Sequence, residues 1–217
     1  MKKCIILANG QAPTKNVFRY LDSKGYSTLI CADGGANSSA KLNLIPDYII
    51  GDLDSINPDV YDYYFDRSKI IHIKRQNDTD VEKCLKYALK KNYRDVFLLG
   101  ATGDRLDHSF CNIGIVMKYF NILKIQIIHQ KSLLSAYSGS CVLKTVPNEI
   151  ISIYGVDNKT RVTSYGLKYE LKNTTLPFGV KESTSNEALG EEVRLGIRGG
   201  IMLVIRDFKT MSKNDLF

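Results

Sequence analysis

Residues 3–129 alternate short apolar runs with stretches of helical spacing, and this alternation constrains the fold more than any other feature of the sequence. Strands and helices in alternation predict an open, mostly parallel sheet with helices on both faces, an α/β/α arrangement. In such a sheet the loops at the carboxyl ends of the strands line the ligand crevice. The predicted strands are residues 3–8, 28–32, 48–50, 69–73, 95–99 and 124–129.

The helical stretches carry their own boundary residues. Pro58 is well placed to begin one helix, and another is predicted from about residue 106 to residue 119. The clearest helix follows Thr79, which can cap its N-terminus, and the helix dipole favours the acids Asp80 and Glu82 in its first turn. Its apolar residues recur at positions 81, 84, 85, 88 and 89, the spacing of one buried helix face.

The pattern changes after residue 130. Short segments of high strand propensity are separated there by Gly, Asn and Pro turns, and no helical stripe remains. We therefore predict an α/β domain at residues 1–130 and an all-β domain at residues 131–217, the second being a β-sandwich or jelly-roll-like domain. The strands predicted in it are residues 133–137, 141–146, 150–154, 161–164, 167–171, 192–197 and 201–205.

Composition limits the cellular compartment and the classes of binding partner that we expect. The net charge is +7 and the pI about 9.0, but the lysines are spread along the chain, so a nucleic-acid patch is not favoured over general solubility. No apolar run approaches the roughly 20 residues of a membrane span, and the run after Met1 is too short for a signal peptide. The five cysteines show no CxxC pair or metal spacing, and four of them lie within apolar runs or on the apolar face of a predicted helix, which predicts small buried side chains in a reducing compartment. We predict a cytoplasmic protein that binds neither nucleic acid nor membrane.

Asp52 and Asp54 directly follow the third predicted strand. In an extended chain residues two apart point the same way, so both carboxylates would face one point in space. Like charges held together raise each other's pKa unless a cation lies between them, and hard divalent metals bind carboxylate oxygens. Together with Asp80, these acids could hold Mg²⁺. A turn that caps the next helix uses the same residue types, and this alternative stays open.

A second cluster, Gly100–Ala101–Thr102–Gly103, follows the fifth predicted strand. Its amides could cradle phosphate, and Arg105 brings a guanidinium fork that suits phosphate oxygens, with a surface salt bridge as the alternative. The loop lacks the Lys-Ser/Thr ending of a Walker A motif, and no G-x-G-x-x-G follows the first strand. Neither a P-loop nor a dinucleotide-binding Rossmann site is therefore supported.

Ordered strings of residues in both predicted domains carry a resemblance to a known family. Together they resemble thiamin pyrophosphokinase over nearly the whole chain, which is far more specific than any single loop. The strings are ADGGAN at 32–37, PDYIIGDLDS at 46–55, DTD at 78–80, GATGDRLDH at 100–108, GLKY at 166–169 and ESTSNE at 182–187.

This resemblance implies transfer of a diphosphoryl group from ATP to the hydroxyl of thiamin, giving thiamin diphosphate and AMP. It implies that Asp52, Asp54 and Asp80 hold Mg²⁺ and that these acids act with Arg105 and Asp107 mainly by positioning and charge neutralisation. Whether Asp107 assists the nucleophile or only holds the loop is left open. The residues expected around ATP are Asp33, Gly34, Gly35, Gly100, Ala101, Thr102, Gly103 and Arg105, and those expected around thiamin are Ser183, Thr184, Ser185 and Asn186.

The resemblance also implies a homodimer, with each active site between the α/β domain of one subunit and the β domain of the other. Three positions depart from the family's pattern. Asn77 replaces an Asp two residues before Thr79 and so loses a charge. Asp104 stands where a second glycine often occurs, and its charge would repel a nearby phosphate. Gln130 and Lys131 stand where Asp or Asn often follows the last strand of the first domain.

Two other functions fit part of the pattern. A metal-dependent glycosyltransferase also holds its metal with Asp-x-Asp after a strand, but it would leave residues 183–186 unexplained. A thiamin-binding sensor with reduced catalysis would account for Asn77 and Asp104. Retention of Asp52, Asp54 and Asp80 argues against the sensor.

Overall fold

Two units form along the chain, Met1–Gln130 and Lys131–Phe217. The computed structural model describes residues 1–75, 77–103 and 105–217. Asp104, one of the three departures from the family's pattern, therefore lies outside the described residues. The first unit alternates strands and helices, and the second is rich in strands.

A parallel sheet forms the centre of the first unit, which confirms the predicted α/β fold. Its described strands are β1 (Lys2–Leu7), β2 (Thr28–Ala32), β3 (Tyr48–Gly51), β4 (Lys69–His72), β5 (Tyr93–Leu99) and β6 (Lys124–His129). Their order is β6-β5-β1-β2-β3-β4, and each neighbouring pair is parallel. Strand β1 lies inside the sheet, where Ile6 and Leu7 are fully buried. Such strands need continuous apolar runs because both faces are covered.

Helices connect these strands. They are α1 (Lys15–Ser23), α2 (Gly35–Lys41), α3 (Pro58–Phe65), α4 (Asp80–Lys90) and α5 (Leu106–Lys118). The chain moves outward from β1 to β4 and then returns to the other side of β1, so right-handed crossovers place α1–α3 on one face and α4 and α5 on the other. No helix formed by the described residues has the length and apolar character needed to cross a bilayer.

The predicted helix starts are confirmed at α3 and α4. Pro58 is the first residue of α3. The Thr79 hydroxyl oxygen caps α4 by accepting a hydrogen bond from the Glu82 amide at 3.3 Å. The predicted apolar face of α4 is buried at positions 81, 84, 85 and 88. The cap matters for function because it fixes the first residue of the helix, Asp80.

The direction of the chain reverses at β1 and β5, so a crevice opens between the carboxyl ends of these two strands. The Gly10 amide donates to the Gly100 carbonyl oxygen at 2.7 Å, and the Gln11 amide donates to that of Thr102 at 3.1 Å. These bonds extend the β1–β5 pairing beyond the strands. The loop predicted to bind phosphate is thus tied by its backbone to the loop after β1.

The second unit is organised by its last strand. Its elements are β7 (Ser132–Lys144), β8 (Ile150–Gly155), β9 (Arg161–Tyr165), β10 (Thr174–Thr175), β11 (Ser183–Glu187), β12 (Glu192–Asp207) and α6 (Phe208–Lys213). Strand β12 pairs with β7 along most of its length, with β9 through residues 194–198 and with β8 through residues 202–206. Its register shifts between Ile197 and Met202, near Gly199 with a φ of 87°.

The two arms of strands on either side of this shift close on one apolar core, which confirms the predicted β-sandwich. Ile151 and Ile153 on β8, Val162 on β9, and Leu195 and Val204 on β12 are each at most 2% exposed and belong to one cluster. Side chains from both arms therefore interdigitate, as in sandwiches generally.

Several boundaries predicted for the second unit are wrong. Residues 133–137 and 141–144 belong to one strand, β7, which ends two residues before the predicted bound, and residues 192–197 and 201–205 belong to β12. Gly139 and Gly199, with φ values of 70° and 87°, bend these strands without ending them. Residues 208–213 form helix α6, which a search for helical stripes misses because it is so short.

Residues 167–171, predicted as a strand, form none. The Asn186 side-chain oxygen accepts from the Tyr169 amide at 3.0 Å, and its amide donates to the Tyr169 carbonyl oxygen at 2.7 Å. The Asn186 side chain therefore forms hydrogen bonds with the Tyr169 backbone amide and carbonyl groups, which would otherwise be available to pair with a neighbouring strand.

Candidate active site

A cavity of about 490 Å³ lies at the carboxyl edge of the sheet in the first unit. It is bordered by the loops after β1, β2 and β5 and by the starts of α4 and α5. This is the edge at which the sequence analysis placed the ligand. The lining residues lie at positions 8–10, 32–34, 79–81, 100–103, 105, 107, 108, 111 and 112.

Three carboxylates meet at this edge. Asp33, Asp52 and Asp80 each offer an oxygen within 4.8 Å of the others. Asp33 follows β2, Asp52 follows the neighbouring β3, and Asp80 begins α4. Separate elements deliver the three acids, so the cluster forms only in the folded chain. Asp52 and Asp80 were predicted as metal ligands, whereas Asp33 was expected near ATP.

The backbone around Asp33 forces its carboxyl group into the cluster. Asp33 has a φ of 42°, a conformation that Asp tolerates better than most residues. A Cβ at Gly51 would lie 2.7 Å from the Asp33 Cβ, so glycine is required there. Burial, followed by the charge of Asp80, raises the pKa of Asp33 to about 6. A carboxyl group with this pKa sheds its proton readily when a cation arrives.

Lys83 lies inside the same cluster, and sequence analysis missed it. Its side chain is 2% exposed, and its Nζ donates to Asp80 Oδ1 at 2.7 Å and lies 3.6 Å from Asp52 Oδ2. Burial alone would lower the pKa of Lys83, but the hydrogen bonds and charges of Asp80 and Asp52 raise it above its usual value. The amine is therefore an ammonium ion. The sequence does contain a signal for the Lys83–Asp80 contact, because Lys83 follows Asp80 by three residues on one helix face.

The donor atoms that remain fit a hard cation. Asp33 Oδ1 and Asp52 Oδ1 are buried and have no hydrogen-bond partner among the described residues. Buried carboxylate oxygens are costly unless something pairs with them. Mg²⁺ prefers such oxygens and leaves further positions for phosphate oxygens. The residues present thus fit the Mg²⁺ that the sequence predicted.

Asp54 lies at the rim of this cluster. It is exposed, and its Oδ1 accepts from the Ser55 hydroxyl at 2.9 Å. Leu53, between Asp52 and Asp54, has a φ of 68°, so the chain is not extended there as the sequence analysis assumed. The two carboxylates therefore have different surroundings, and metal binding by Asp54 stays a prediction.

Glycines near the crevice are required first by backbone packing. A Cβ at Gly35 would lie 2.1 Å from the Leu7 carbonyl oxygen, and one at Gly100, where φ is 60°, would lie 2.5 Å from that of Ala8. The close approach of the loops after β1, β2 and β5 thus explains these glycines before any phosphate does. The Thr102 hydroxyl is buried beside the cavity and lacks a partner among the residues described, so it is free to meet a ligand.

Arg105 and Asp107 form a two-pronged ion pair at the start of α5. Arg105 Nε donates to Asp107 Oδ1 at 3.2 Å, and Nη2 donates to Oδ2 at 2.6 Å. The hydrogen bonds from Arg105, followed by that from the His108 amide, lower the pKa of Asp107 to about 2. A carboxylate with so low a pKa is a poor proton acceptor. The contact favours a role for Asp107 in holding Arg105 and the loop.

Two of the departures from the family's pattern are now located. Asn77 is exposed, and Asp78 pairs with Arg75 and with the Lys86 amine, at 2.5 Å from the latter. Asp78 is therefore paired with two cations and is not one of the three clustered carboxylates. The Gln130 side-chain amide donates to Gln11 Oε1 at 3.1 Å, so it braces the loop after β1.

The predicted thiamin residues lie on β11 in the second unit. The pairing of β11 with β8 is interrupted between Ser183 and Asn186, and Ser185 has a φ of 54°. This bulge leaves Thr184 and Ser185 exposed, whereas Asn186 is 2% exposed and donates to the Ser183 hydroxyl at 3.2 Å. Asn186 thus holds the bulge and Tyr169 together, and its contact with thiamin stays a prediction.

Comparison with known proteins assigns both units to one family. Residues 21–128 match the family model for the catalytic domain of thiamin pyrophosphokinase, and residues 141–202 match the model for its vitamin B1 binding domain. Thiamine pyrophosphokinase 1 of Oryza sativa subsp. japonica is 28% identical over 200 residues, which covers 76% of this chain and 74% of the relative. Thiamine pyrophosphokinase of Bacillus subtilis (strain 168) is 27% identical over 216 residues, which covers 95% of this chain and 99% of the relative.

A solved structure shows the same relationship. The crystal structure of thiamin pyrophosphokinase from Geobacillus thermodenitrificans superposes with a TM-score of 0.81 at 25% identity and covers 94% of this chain and 97% of that chain. Sequence models, relatives of similar length and the fold agree over both units, and the chain therefore belongs to the thiamin pyrophosphokinase family.

Proposed function

We propose that this chain transfers the diphosphoryl group of ATP to the hydroxyl group of thiamin and releases AMP. The observation that carries the proposal is that successive parts of one chain match a catalytic domain and a vitamin B1 binding domain. In this reaction the thiamin oxygen forms a bond to the β-phosphorus, and the bond from that phosphorus to the oxygen bridging the α-phosphorus breaks. The hydroxyl proton is released.

The acid cluster supports the metal requirement of this reaction. Asp33, Asp52 and Asp80 would hold Mg²⁺, with Asp54 as a further predicted ligand at the rim. When bound, Mg²⁺ neutralises charge on the phosphate oxygens. Asp33 thereby moves from the predicted ATP contacts to the proposed metal ligands.

Phosphate binding would fall to the loop after β5. The Thr102 hydroxyl and the amides of residues 100–103 border the same cavity as Arg105, and that loop is fixed to the loop after β1. Gly34 and Gly35, at the start of α2, would shape the ATP side of the crevice. Asp107 would position Arg105, which holds phosphate oxygens as a planar fork.

The remaining parts of the proposal concern the second unit and the assembly. Residues 1–130 would be the catalytic, ATP-binding and Mg²⁺-binding domain, and residues 131–217 would bind thiamin through Ser183, Thr184 and Ser185. The active enzyme would be a homodimer whose sites are shared between subunits. The five free cysteines support a reducing compartment, and so the predicted cytoplasmic location.

Incubation of the purified protein with Mg-ATP and thiamin tests the proposal. We expect AMP and thiamin diphosphate in equal amounts, separated by chromatography, and no AMP when thiamin is omitted. ADP with thiamin monophosphate would show transfer of a single phosphoryl group and contradict the proposal. Thiamin binding by calorimetry without any AMP would favour the sensor instead.

A further inference from the structure

We infer that Lys83 is a positioning residue of the acid cluster: it selects the carboxylate oxygens that a divalent cation can use, and its charge keeps the cluster from binding that cation strongly before nucleotide arrives. The inference rests on the proposed function only in its expectation that the cation accompanies ATP. Nothing in the family comparison or in the sequence analysis gave Lys83 a role.

The burial of Lys83 shows that its place in the cluster is fixed. Its side chain is 2% exposed, a rare condition for lysine, and its Nζ lies between Asp80 Oδ1 at 2.7 Å and Asp52 Oδ2 at 3.6 Å. A buried ammonium ion is costly unless it is paired. Because its two partners come from different elements, Lys83 joins the loop after β3 to the start of α4.

The hydrogen bonds of the cluster leave a defined set of oxygens. The Lys83 ammonium lies 3.6 Å from Asp52 Oδ2, an ion contact rather than a hydrogen bond, and the Ser55 amide donates to Asp33 Oδ2 at 3.3 Å. Asp33 Oδ1 and Asp52 Oδ1 remain buried without a partner among the described residues. The Lys83 ammonium thus faces Asp52 Oδ2, and Oδ1 of that carboxylate is the oxygen left available to a cation.

The charge of Lys83 opposes the cation that the acids attract. The cluster brings three carboxylates, and Lys83 returns one positive charge within a few ångströms of them. Two cations at such a distance repel each other. Nucleotide phosphates would supply the negative charge that Lys83 removes, so the cation is expected to bind firmly only together with nucleotide.

Binding of Mn²⁺ alone tests this inference. The dissociation constant is measured by electron paramagnetic resonance without nucleotide, for wild type, Lys83→Met and Lys90→Met. Lys90 is exposed on the same helix and makes the matched change of charge away from the cluster. We expect Lys83→Met to bind Mn²⁺ at least about tenfold more tightly than wild type, and Lys90→Met to bind as wild type does.

A second variant separates charge from hydrogen bonding. Lys83→Gln retains a donor for Asp80 but carries no charge, and it should tighten Mn²⁺ binding as Lys83→Met does. It also carries the test if circular dichroism shows that Lys83→Met does not fold. Tighter Mn²⁺ binding by Lys83→Met but not by Lys83→Gln would overturn the inference.

Two further outcomes would overturn it. Equal Mn²⁺ affinity in wild type and both Lys83 variants would show that the ammonium does not restrain the cation. A raised KM for Mg-ATP with unchanged Mn²⁺ affinity would make Lys83 a phosphate ligand instead. The proposed function is judged separately by AMP formation in wild type: if no AMP forms but Lys83→Met tightens Mn²⁺ binding, the inference stands and the proposed function fails.

Discussion

The carboxyl group of Asp33 occupies a position that disfavours its own charge. It is 3% exposed, and burial, followed by the charge of Asp80, raises its pKa from 3.8 to about 6. In the metal-free protein the folded state therefore holds this proton more tightly than the unfolded chain does. Between pH 3.8 and about 6 the folded state binds more protons, so stability falls as the pH rises through this window.

Asp33→Asn should remove this dependence. In the absence of divalent metal, at about pH 7, the variant should gain up to about 3 kcal/mol in free energy of unfolding. The reason is that Asn never acquires the buried charge, although it tolerates positive φ and can still accept from the Ser55 amide. Denaturant unfolding with EDTA at about pH 4.5 and about pH 7 measures it.

Asp59→Asn, which changes an exposed acid of α3, is the matched control and should leave the pH dependence as it is in wild type. An Asp33→Asn protein whose stability falls with pH as steeply as that of wild type would refute the assignment of this proton to Asp33.

Asp52 and Asp54 allow the metal set to be tested residue by residue. Asp52→Asn and Asp54→Asn should each lower kcat at least about a hundredfold, and the thermal midpoint of Asp54→Asn should stay nearly unchanged because its carboxylate is exposed. Steady-state kinetics and thermal melts are the measurements. Loss of activity in Asp52→Asn alone would restrict the metal set to Asp33, Asp52 and Asp80, and large destabilisation with residual activity would indicate a structural role.

The acid cluster and Lys83 also show which features of the site can be predicted from the sequence and which cannot. The sequence predicts Asp52, Asp54 and Asp80 as metal ligands, and the structure brings Asp52 and Asp80 together with Asp33, whereas the extended chain assumed between Asp52 and Asp54 is absent because Leu53 has a φ of 68°. Asp33 was placed at the right edge but given another role, since its side-chain direction depends on a left-handed backbone at φ 42°. From the sequence alone, Lys83 would be interpreted as an exposed helix residue. Its surroundings include Asp52, which is distant in sequence and cannot be placed beside it without the fold.

At the scale of elements, the first unit was predictable because its strands are buried on both faces. The prediction for β6, residues 124–129, has the bounds that the strand has, Lys124–His129. In the second unit, the local sequence predicts strand ends near Gly139 and Gly199, although an antiparallel partner continues past both. Whether a glycine ends a strand or bends it depends on that partner, which the local sequence does not reveal.

Glycines of the first unit give an element-scale prediction with a built-in control. Gly100→Ala should cost about 2 kcal/mol or more of stability, because φ is 60° and the new Cβ would lie 2.5 Å from the Ala8 carbonyl oxygen. Gly114→Ala, inside α5 with nothing within 4 Å of the new Cβ, should stabilise by up to about 1 kcal/mol. Chemical denaturation measures both. Equal effects at the two positions would mean that the loops after β1 and β5 are not packed as described.

At the scale of the whole molecule, one face of the second unit's sheet carries two large exposed side chains on either side of Arg194. Val142 on β7 and Tyr165 on β9 are each paired with Arg194 on β12, so the three side chains lie on the same face of the sheet. Val142 and Tyr165 are 59% and 61% exposed.

Subunit mixing tests whether the active site is shared. Asp52→Asn damages the first unit, and Thr184→Arg, at an exposed predicted thiamin residue, damages the second; each should be inactive alone. Unfolded and refolded together in equal amounts, they should recover about a quarter of wild-type activity, because half of the dimers are mixed and each of these has one intact site. A self-contained site in each chain would recover none.

A second mixture shows whether subunits have exchanged between dimers. Wild type refolded with a chain that carries both substitutions should retain about a quarter of the activity of the same total amount of wild type if sites are shared, because every mixed dimer then has two damaged sites. If each chain builds its own site, the mixture retains about half, since the wild-type chain of a mixed dimer stays active. Light scattering confirms that dimers form. Half activity here, together with no rescue in the first mixture, would place the whole site within one chain and leave the exposed face of Val142 and Tyr165 without a part in catalysis.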